Sequence, residues 1–454
     1  MVVGELTTAA QVLVIGAGES GRAAALRAAQ LGRQVALVDP RLPGADLMDC
    51  ASLFGETLRQ ALLTISSWWR HGQTLTTCGL GATDSPVNLA QLQRWKTQLL
   101  RRTVRQFSQQ CTELQIEIKR GEAHFTGPNE VRIASDHGAE RMHFEQCIIA
   151  DSAQSASVDG STGVPTDSKH IFTPAQLLMF EDLPGPLHVL GATDAAIELS
   201  VLWARLEAAV ALVIPPGAQL LAGFDEAVEP LLRKQLGELH VDVKTLMHTP
   251  AEWMAQLDAN ACVAICDSKA PATDELALDH AAVALDEQGY LLVNESMQSS
   301  NPAVYAVGDC VAPDLPLAVA IKQARVAAEQ GAGRRAVFAP QAAPRLVQLD
   351  PAFGAVGLNA QAAKAVGYAV TETRLNLEDL LSTQSAPDAP PDGILLLTAD
   401  AESGVLLGVT CVAPDAAGIV GEAALALEMG ATLYDVQETL HPVISSLSAL
   451  NEME

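Results

Sequence analysis

A thirty-residue segment occurs twice in this chain with its spacing unchanged. Residues 11–40 read QVLVIGAGESGRAAALRAAQLGRQVALVDP, and residues 186–215 read PLHVLGATDAAIELSVLWARLEAAVALVIP, aligned without a gap at an offset of 175 residues. Each copy is a short apolar run, a Gly-led turn, an amphipathic stretch of helical period and a second apolar run. That order is a βαβ unit, and a strand, a glycine turn and a helix start in succession are the shape of a dinucleotide-binding fold. A chain that writes the unit twice is constrained to an α/β architecture.

In the first copy every element of the fingerprint is present. Gly16 makes the tight turn off the strand. Gly18 lets a pyrophosphate approach the backbone and the helix N-terminus, and Gly21 lets the helix pack close to the strand. Asp39 ends the second strand, 23 positions after Gly16, where a carboxylate can accept from a ribose hydroxyl. In the second copy Gly191 remains, but Thr193 replaces the pyrophosphate-contact glycine, Ala196 the packing glycine and Ile214 the ribose acid. Thr193 sets a β-branched side chain where a phosphate would approach, Asp194 adds negative charge beside it, and Ile214 accepts no hydrogen bond. Pro215 and Pro216 follow, so no Arg stands there for a 2′-phosphate. Two readings stay open for this copy, a unit kept for its packing and a weakened nicotinamide site.

Composition bounds the remainder. With 454 residues, 49% of them hydrophobic, the chain is long enough for about three domains with buried cores. The net charge of −26 argues against nucleic acid and anionic membrane as partners. No stretch is long and apolar enough to span a bilayer, and the N-terminus lacks the pattern of a signal peptide, so the expected location is cytoplasmic. The eight cysteines (Cys50, Cys78, Cys111, Cys147, Cys262, Cys266, Cys310 and Cys411) are scattered and lie mostly in apolar strands, which reads as reduced core residues and no metal site.

Along the chain, a helical stretch carrying Trp68, Trp69, Arg70 and His71 follows the first unit. A helix near 88–111 bears Arg94, Lys96, Arg101, Arg102 and Arg105, a basic face read first as solvated and second as an anion or partner site. Three strands follow (IEIKRGEAHF, NEVRIAS and MHFEQCIIA), then the second βαβ unit. A block near 273–340 contains NPAVYAVGDCVAP and a helix. The last block alternates strands and helices from about 341 and includes SAPDAPPDG at 385–393, an expected exposed hairpin connection.

GAGESG, NPAVYAVGDC, GVLLGVTCVAPDAAGIV and LHPVISS stand in the order and rough spacing of the class I pyridine nucleotide-disulfide oxidoreductases. The chain resembles that family, which includes mercuric reductase, dihydrolipoamide dehydrogenase, glutathione reductase and soluble transhydrogenase, over nearly its whole length. The resemblance implies two Rossmann-like dinucleotide-binding domains, FAD and NAD(P)-type, plus a C-terminal α+β dimerisation domain. The boundaries it implies are residues 1–155 and 273–340 for the FAD-binding domain, 156–272 for the NAD(P)-type domain and 341–454 for dimerisation. It also implies a homodimer, with FAD on the first unit and Asp309 at the ribityl or pyrophosphate region; Cys310 beside it is read as packing.

The catalytic parts depart from the family. Its redox disulfide and Lys, GGxCxxxxCxPSK, fall in register on GADLMDCASLFGETLRQ, which puts Leu47 and Ser52 at the cysteine positions and Glu56 at the Lys. Cys50 is out of register. The family's Lys pairs with a Glu on the second unit's helix, here Glu198, so two acids are expected where an ion pair belongs. In HPTxSE the family supplies a His–Glu pair; here His441 survives and the Glu position is Ser446, so the imidazole is expected to lack its orienting carboxylate. Two turns written ATG in the family are Ala150-Asp151-Ser152 and Cys266-Asp267-Ser268. The expected function is an FAD flavoprotein without a protein disulfide, moving electrons from NAD(P)H or a protein redox partner. The alternative is a pseudoenzyme, a structural or regulatory dimer subunit that keeps FAD as a folding ligand. NAD(P)H stays open as a second cofactor.

Overall fold

The computed structural model describes residues 6–42, 53–77, 88–136, 138–150, 154–155, 171–180, 185–258, 260–266, 269–271, 273–313, 315–377, 393–442 and 445–452. The chain divides into two compact units. One is formed by residues 1–58, 88–182 and 267–339, the other by 59–87, 183–266 and 340–454.

The first unit opens with β1 (Leu6–Ile15), α1 (Glu19–Gln30) and β2 (Val35–Val38). Val12 to Ile15 and Val35 to Val38 are buried throughout, as strands of a sheet covered on both faces must be. Ala24, Ala25 and Ala28 form the buried stripe of α1, small enough for the helix to lie close to the sheet. Helix α2 (Gly55–Thr77) begins in this unit and continues into the other; α3 (Leu89–Glu113), β3 (Glu117–Lys119), β4 (Glu122–Gly127), β5 (Glu130–Ser135) and β6 (Gly138–Ile149) complete the stretch. The expected helix near 88–111 and the three strands after it are all present. The sheet order is β3-β2-β1-β6-β5-β4. β3, β2, β1 and β6 run parallel, whereas β5 and β4 return antiparallel. Of the basic residues on α3, Lys96 is not part of a solvated face. It is buried, and its Nζ donates to the carbonyls of Leu178 (2.9 Å) and Phe180 (3.0 Å) at the end of α4 (Pro174–Leu178), where a cation suits the helix C-terminus. Arg94, Arg101, Arg102 and Arg105 are exposed.

The second βαβ unit folds as the repeat requires, with β7 (Leu187–Leu190), α5 (Asp194–Arg205) and β8 (Val210–Ile214), and is extended by β9 (Asp242–Thr245) and β10 (Cys262–Ile265). These four strands are parallel in the order β9-β8-β7-β10, the arrangement of β3-β2-β1-β6 over again.

The chain then returns to the first sheet. β11 (Val304–Ala306) adds parallel to the end of β6, a 3₁₀ turn spans Gly308–Cys310, and α6 (Leu317–Gly331) packs on α1, with Arg27 and Glu329 ion-paired between them. Asn301 sets this return. Its Nδ2 donates to the carbonyls of Pro128 and Ala281 (both 2.8 Å), and its Oδ1 accepts from the N–H of Ala303 (2.9 Å). The last segment is antiparallel, with β12 (Arg345–Val347), β13 (Ala352–Gly357), β14 (Val370–Asn376), β15 (Ile394–Asp400) and β16 (Leu406–Ala413) in the order β12-β13-β16-β15-β14. α7 (Ala416–Met429) covers it through Ala416, Ile419, Val420 and Ala423. The hairpin connection expected at 385–393 lies, except for Gly393, outside the described residues. Among the described residues no helix is long and apolar enough to cross a membrane.

Asn301→Ala removes three hydrogen bonds and takes the Asn301 donor from the buried Ala281 carbonyl and from the carbonyl of the exposed Pro128. The expected cost is about 1–3 kcal/mol per stranded group at most, read as a lower midpoint in urea unfolding with an unchanged slope. Asn301→Asp should cost more, because it also buries a charge.

Candidate active site

The site is built at the C-terminal ends of the parallel strands in the first unit, where the strand order reverses. Gly16 leaves β1 with φ +95°, a conformation L side chains rarely adopt, and its N–H donates to Val38 (2.9 Å). A Cβ built on Gly21 would fall 1.9 Å from the Gly16 carbonyl oxygen, so Gly21 is a packing residue. A Cβ on Gly18 meets nothing within 4 Å among the described residues, and as the N-cap of α1 Gly18 offers no side-chain hydrogen bond. The turn therefore leaves both the space and the helix N-terminus that an anion needs.

Asp39 lies at the end of β2, as expected, and is 1% exposed. Its Oδ2 accepts from the N–H of Ala17 (2.8 Å) and from Arg41 Nη2 (2.7 Å), and its Oδ1 from the N–H and Nε of Arg41 (both 2.8 Å). Four hydrogen bonds are as many as a carboxylate commonly accepts. Asp39 thus holds the glycine turn in shape and presents Arg41 at its edge; Arg41 was not singled out from the sequence. Gly308 (φ +78°) donates its N–H to Gln323 Oε1 (2.9 Å), and a Cβ there would lie 2.9 Å from Ser20 Oγ. That close approach brings the Gly308-Asp309 turn against the start of α1. Cys310 is buried beside it, its thiol against the carbonyls of Val307 and Ile149, in keeping with a packing role.

A buried guanidinium lies beneath the turn. Arg22 Nη1 donates to the carbonyls of Ala17 (2.9 Å) and Leu53 (2.7 Å), and Nη2 pairs with Glu19. Its guanidinium stacks 3.9 Å over the Phe54 ring. Burial pulls the Arg22 pKa down against the pull of Glu19. Burial pushes the Glu19 carboxyl up, opposed by Arg22 and reinforced by the charge of Glu56. Glu19 Oε1 is enclosed without a hydrogen-bond partner among the described residues.

The two expected losses of ion pairing are both corrected. Glu198, 1% exposed on α5, is paired with Arg59, one turn beyond Glu56 on α2, and also accepts from the N–H of Gln348 (2.6 Å). The cation missing at residue 56 is supplied three residues on, because successive turns of a helix present positions i and i+3 on one face. His441 likewise has a carboxylate. Its Nε2 donates to Glu422 Oε1 on α7 (2.8 Å), leaving Nδ1 buried without a partner among the described residues. Glu422 stands 19 residues before the histidine, where no reading of the HPTxSE pattern would look for it. Ser446, at the family's Glu position, instead donates its N–H to Asp415 Oδ2 (2.9 Å). Leu47, Cys50, Ser52, Asp151, Ser152, Asp267 and Ser268 lie outside the described residues.

The second glycine turn repeats the first in backbone and differs in filling. Gly191 (φ +146°) donates to Val213 (2.9 Å), as Gly16 does to Val38. Thr193 Oγ1 caps α5 by accepting from the N–H of Ala196 (3.3 Å) and donates to the Cys266 carbonyl (2.7 Å). Asp194, in the first helical turn, is held by Arg345 Nε and Nη2 (both 2.6 Å). Ile214 is buried at the position of Asp39.

The glycines separate by experiment. Gly21→Val should destabilise the protein whether or not a ligand is present, since the new side chain meets backbone. Gly18→Val should leave the unfolding midpoint of ligand-free protein within about 0.5 kcal/mol of wild type and abolish dinucleotide retention. Denaturation curves with and without added ligand make the distinction.

The sequence profile of the pyridine nucleotide-disulphide oxidoreductases matches residues 10–331, and that of their dimerisation domain matches residues 343–453. A dihydrolipoyl dehydrogenase of Haloferax volcanii is 30% identical, over 97% of this chain and 94% of its own length. One from Thermus scotoductus is also 30% identical, over 95% of this chain and 94% of its own. The structure of the HOCl-induced flavoprotein disulfide reductase RclA from Escherichia coli is similar in fold, with a TM-score of 0.81 at 19% identity, covering 98% of this chain and 99% of that one. The expected fold class holds, with two parallel Rossmann-like sheets and an antiparallel C-terminal dimerisation domain. The chain is a member of the pyridine nucleotide-disulphide oxidoreductase family.

Proposed function

We propose that this protein is an FAD-binding oxidoreductase whose flavin site is the first βαβ unit and whose electron transfer uses no internal protein disulfide. The observation that carries the reading is the open turn at Gly18, set before an α1 N-terminus that no side chain among the described residues caps. FAD, when bound, supplies a reversible two-electron redox centre. The N–H groups at the start of α1 would receive the diphosphate, Asp39 keeps the turn in place through Ala17, and the Asp39–Arg41 pair would meet the ribose. Arg22 ties the turn to Leu53, just ahead of α2, and partly offsets the charge of Glu19. Asp309, on the turn pressed against Ser20, would close the far side of the flavin site. Leu47 and Ser52 carry no thiol, which supports a flavin acting without a disulfide relay. The second reading, a dimeric subunit with FAD as a folding ligand, draws on His441, which is enclosed and committed to Glu422 within its own chain. Catalysed electron transfer no faster than that of free FAD would favour this second reading.

Purified protein should be yellow and release FAD on denaturation. Colourless protein that takes up no added FAD overturns the proposal. Occupancy should also depend on pH through Glu19. Its carboxyl titrates above the ordinary value of 4.5, and a diphosphate beside Gly18 raises it further, so binding takes up a proton. Affinity should therefore rise as pH falls through that raised range, and Glu19→Gln should flatten the profile, as read by flavin fluorescence on dilution of the holoprotein.

The chain is further proposed to work as a homodimer. Leu425 and Met429 lie one turn apart on α7 at 61% and 76% exposure, with Tyr434 and Leu440 exposed after it, an apolar surface suited to a two-fold interface. Light scattering at micromolar protein should return twice the chain mass of 47.7 kDa.

A further inference from the structure

The start of α1 is left open, and the start of α5 is filled. We infer that Thr193, Asp194 and Arg345 form an internal plug in the second dinucleotide turn, so that neither NADH nor NADPH binds there. The inference rests on family membership and on the second unit alone; it does not depend on flavin in the first.

Three interactions make the plug. The Thr193 hydroxyl accepts from the Ala196 N–H, one of the donors that a diphosphate oxygen would use, and is anchored to the carbonyl of Cys266 at the end of β10. Asp194 puts a carboxylate in the first turn of α5, where the positive end of the helix dipole favours it and where it repels a second anion. Arg345 grips that carboxylate with two nitrogens, donates to the Ala222 carbonyl and stacks over Phe224 at 4.9 Å. The guanidinium that could otherwise meet a phosphate is thus already spent on Asp194.

The ribose end offers nothing in exchange. Ile214 stands buried where Asp39 stands in the first copy, and Pro215 and Pro216 supply no donor. A dinucleotide would have to displace the Thr193 cap, break the Asp194–Arg345 fork and bury its ribose hydroxyls against an aliphatic side chain. Arg345 belongs to β12, so the contact that closes the turn also joins α5 to the antiparallel sheet. A helix N-terminus that serves a ligand in one copy of the repeat serves the fold in the other.

The test titrates purified holoprotein with NADH and with NADPH, following nicotinamide fluorescence and calorimetric heat. Wild type should show no saturable binding up to about 1 mM of either nucleotide. Thr193→Gly/Asp194→Ala removes the cap, frees Arg345 and should tighten binding of at least one of the two by about tenfold or more. Should the double variant fold poorly, Asp194→Asn keeps the side-chain shape, releases the guanidinium and should give a smaller gain in the same direction. Wild-type binding in the micromolar range overturns the inference, and so does a folded double variant that gains nothing.

Discussion

The first N–H groups of a helix have no partner within the helix and must be met by something else. Much of this molecule follows from how that requirement is answered in two places. At α1 no side chain among the described residues caps the helix, and the proposed function gives that part to a bound dinucleotide. Gly18 carries no side chain, Gly16 and Gly21 clear the space around it, and Asp39 spends its carboxylate on keeping the turn in shape. At α5 the chain answers for itself with a threonine hydroxyl and an aspartate held by an arginine from another sheet. Both turns open on a glycine at positive φ that donates its N–H to the neighbouring strand. The two turns therefore differ in side chains and not in fold, and the proposed difference in ligand capacity rests on those side chains.

Buried charge shows the same economy. A carboxylate such as Glu198 cannot stay ionised in the interior without a partner, since breaking a buried pair typically costs about 3–5 kcal/mol. The family's lysine is gone from position 56, and Arg59 takes up the pairing from the next turn of the same helix. His441 has lost the glutamate of its own motif and is met by Glu422 from α7. In both cases the pairing survives while the residue that supplies it has moved. The consequences differ. The Arg59–Glu198 pair stays internal, whereas Glu422 engages Nε2 and leaves Nδ1 enclosed, which ties the imidazole to its own chain.

Motif registers locate side chains along one dimension, and that is where the sequence reading succeeds and where it stops. The glycine turns, the buried strands and the basic-looking helix over 89–113 lie where pattern and spacing put them, and the chain returns to the first sheet as the family resemblance implies. Lys96 does not behave as its neighbours do, because the direction of one side chain on a helix depends on what packs over it. Arg22 is adjacent to the fingerprint in sequence, yet its four roles, to Ala17, Leu53, Glu19 and the Phe54 ring, need two separate segments to be in place.

By itself the sequence determined two βαβ units, read from apolar runs and glycines, with a terminal α+β domain implied by the family resemblance. Those features depend on local conformation, and local conformation is written in neighbouring residues. Only the tertiary structure decided who partners whom. Arg345 reaches Asp194 across 151 residues, Gln348 reaches Glu198 across 150, and Glu422 reaches His441 from a separate helix. Such pairs obey charge and burial in space, and a carboxylate is satisfied equally by any cation or donor that the fold brings within reach. The identity of that partner is therefore settled by packing and not by spacing along the chain.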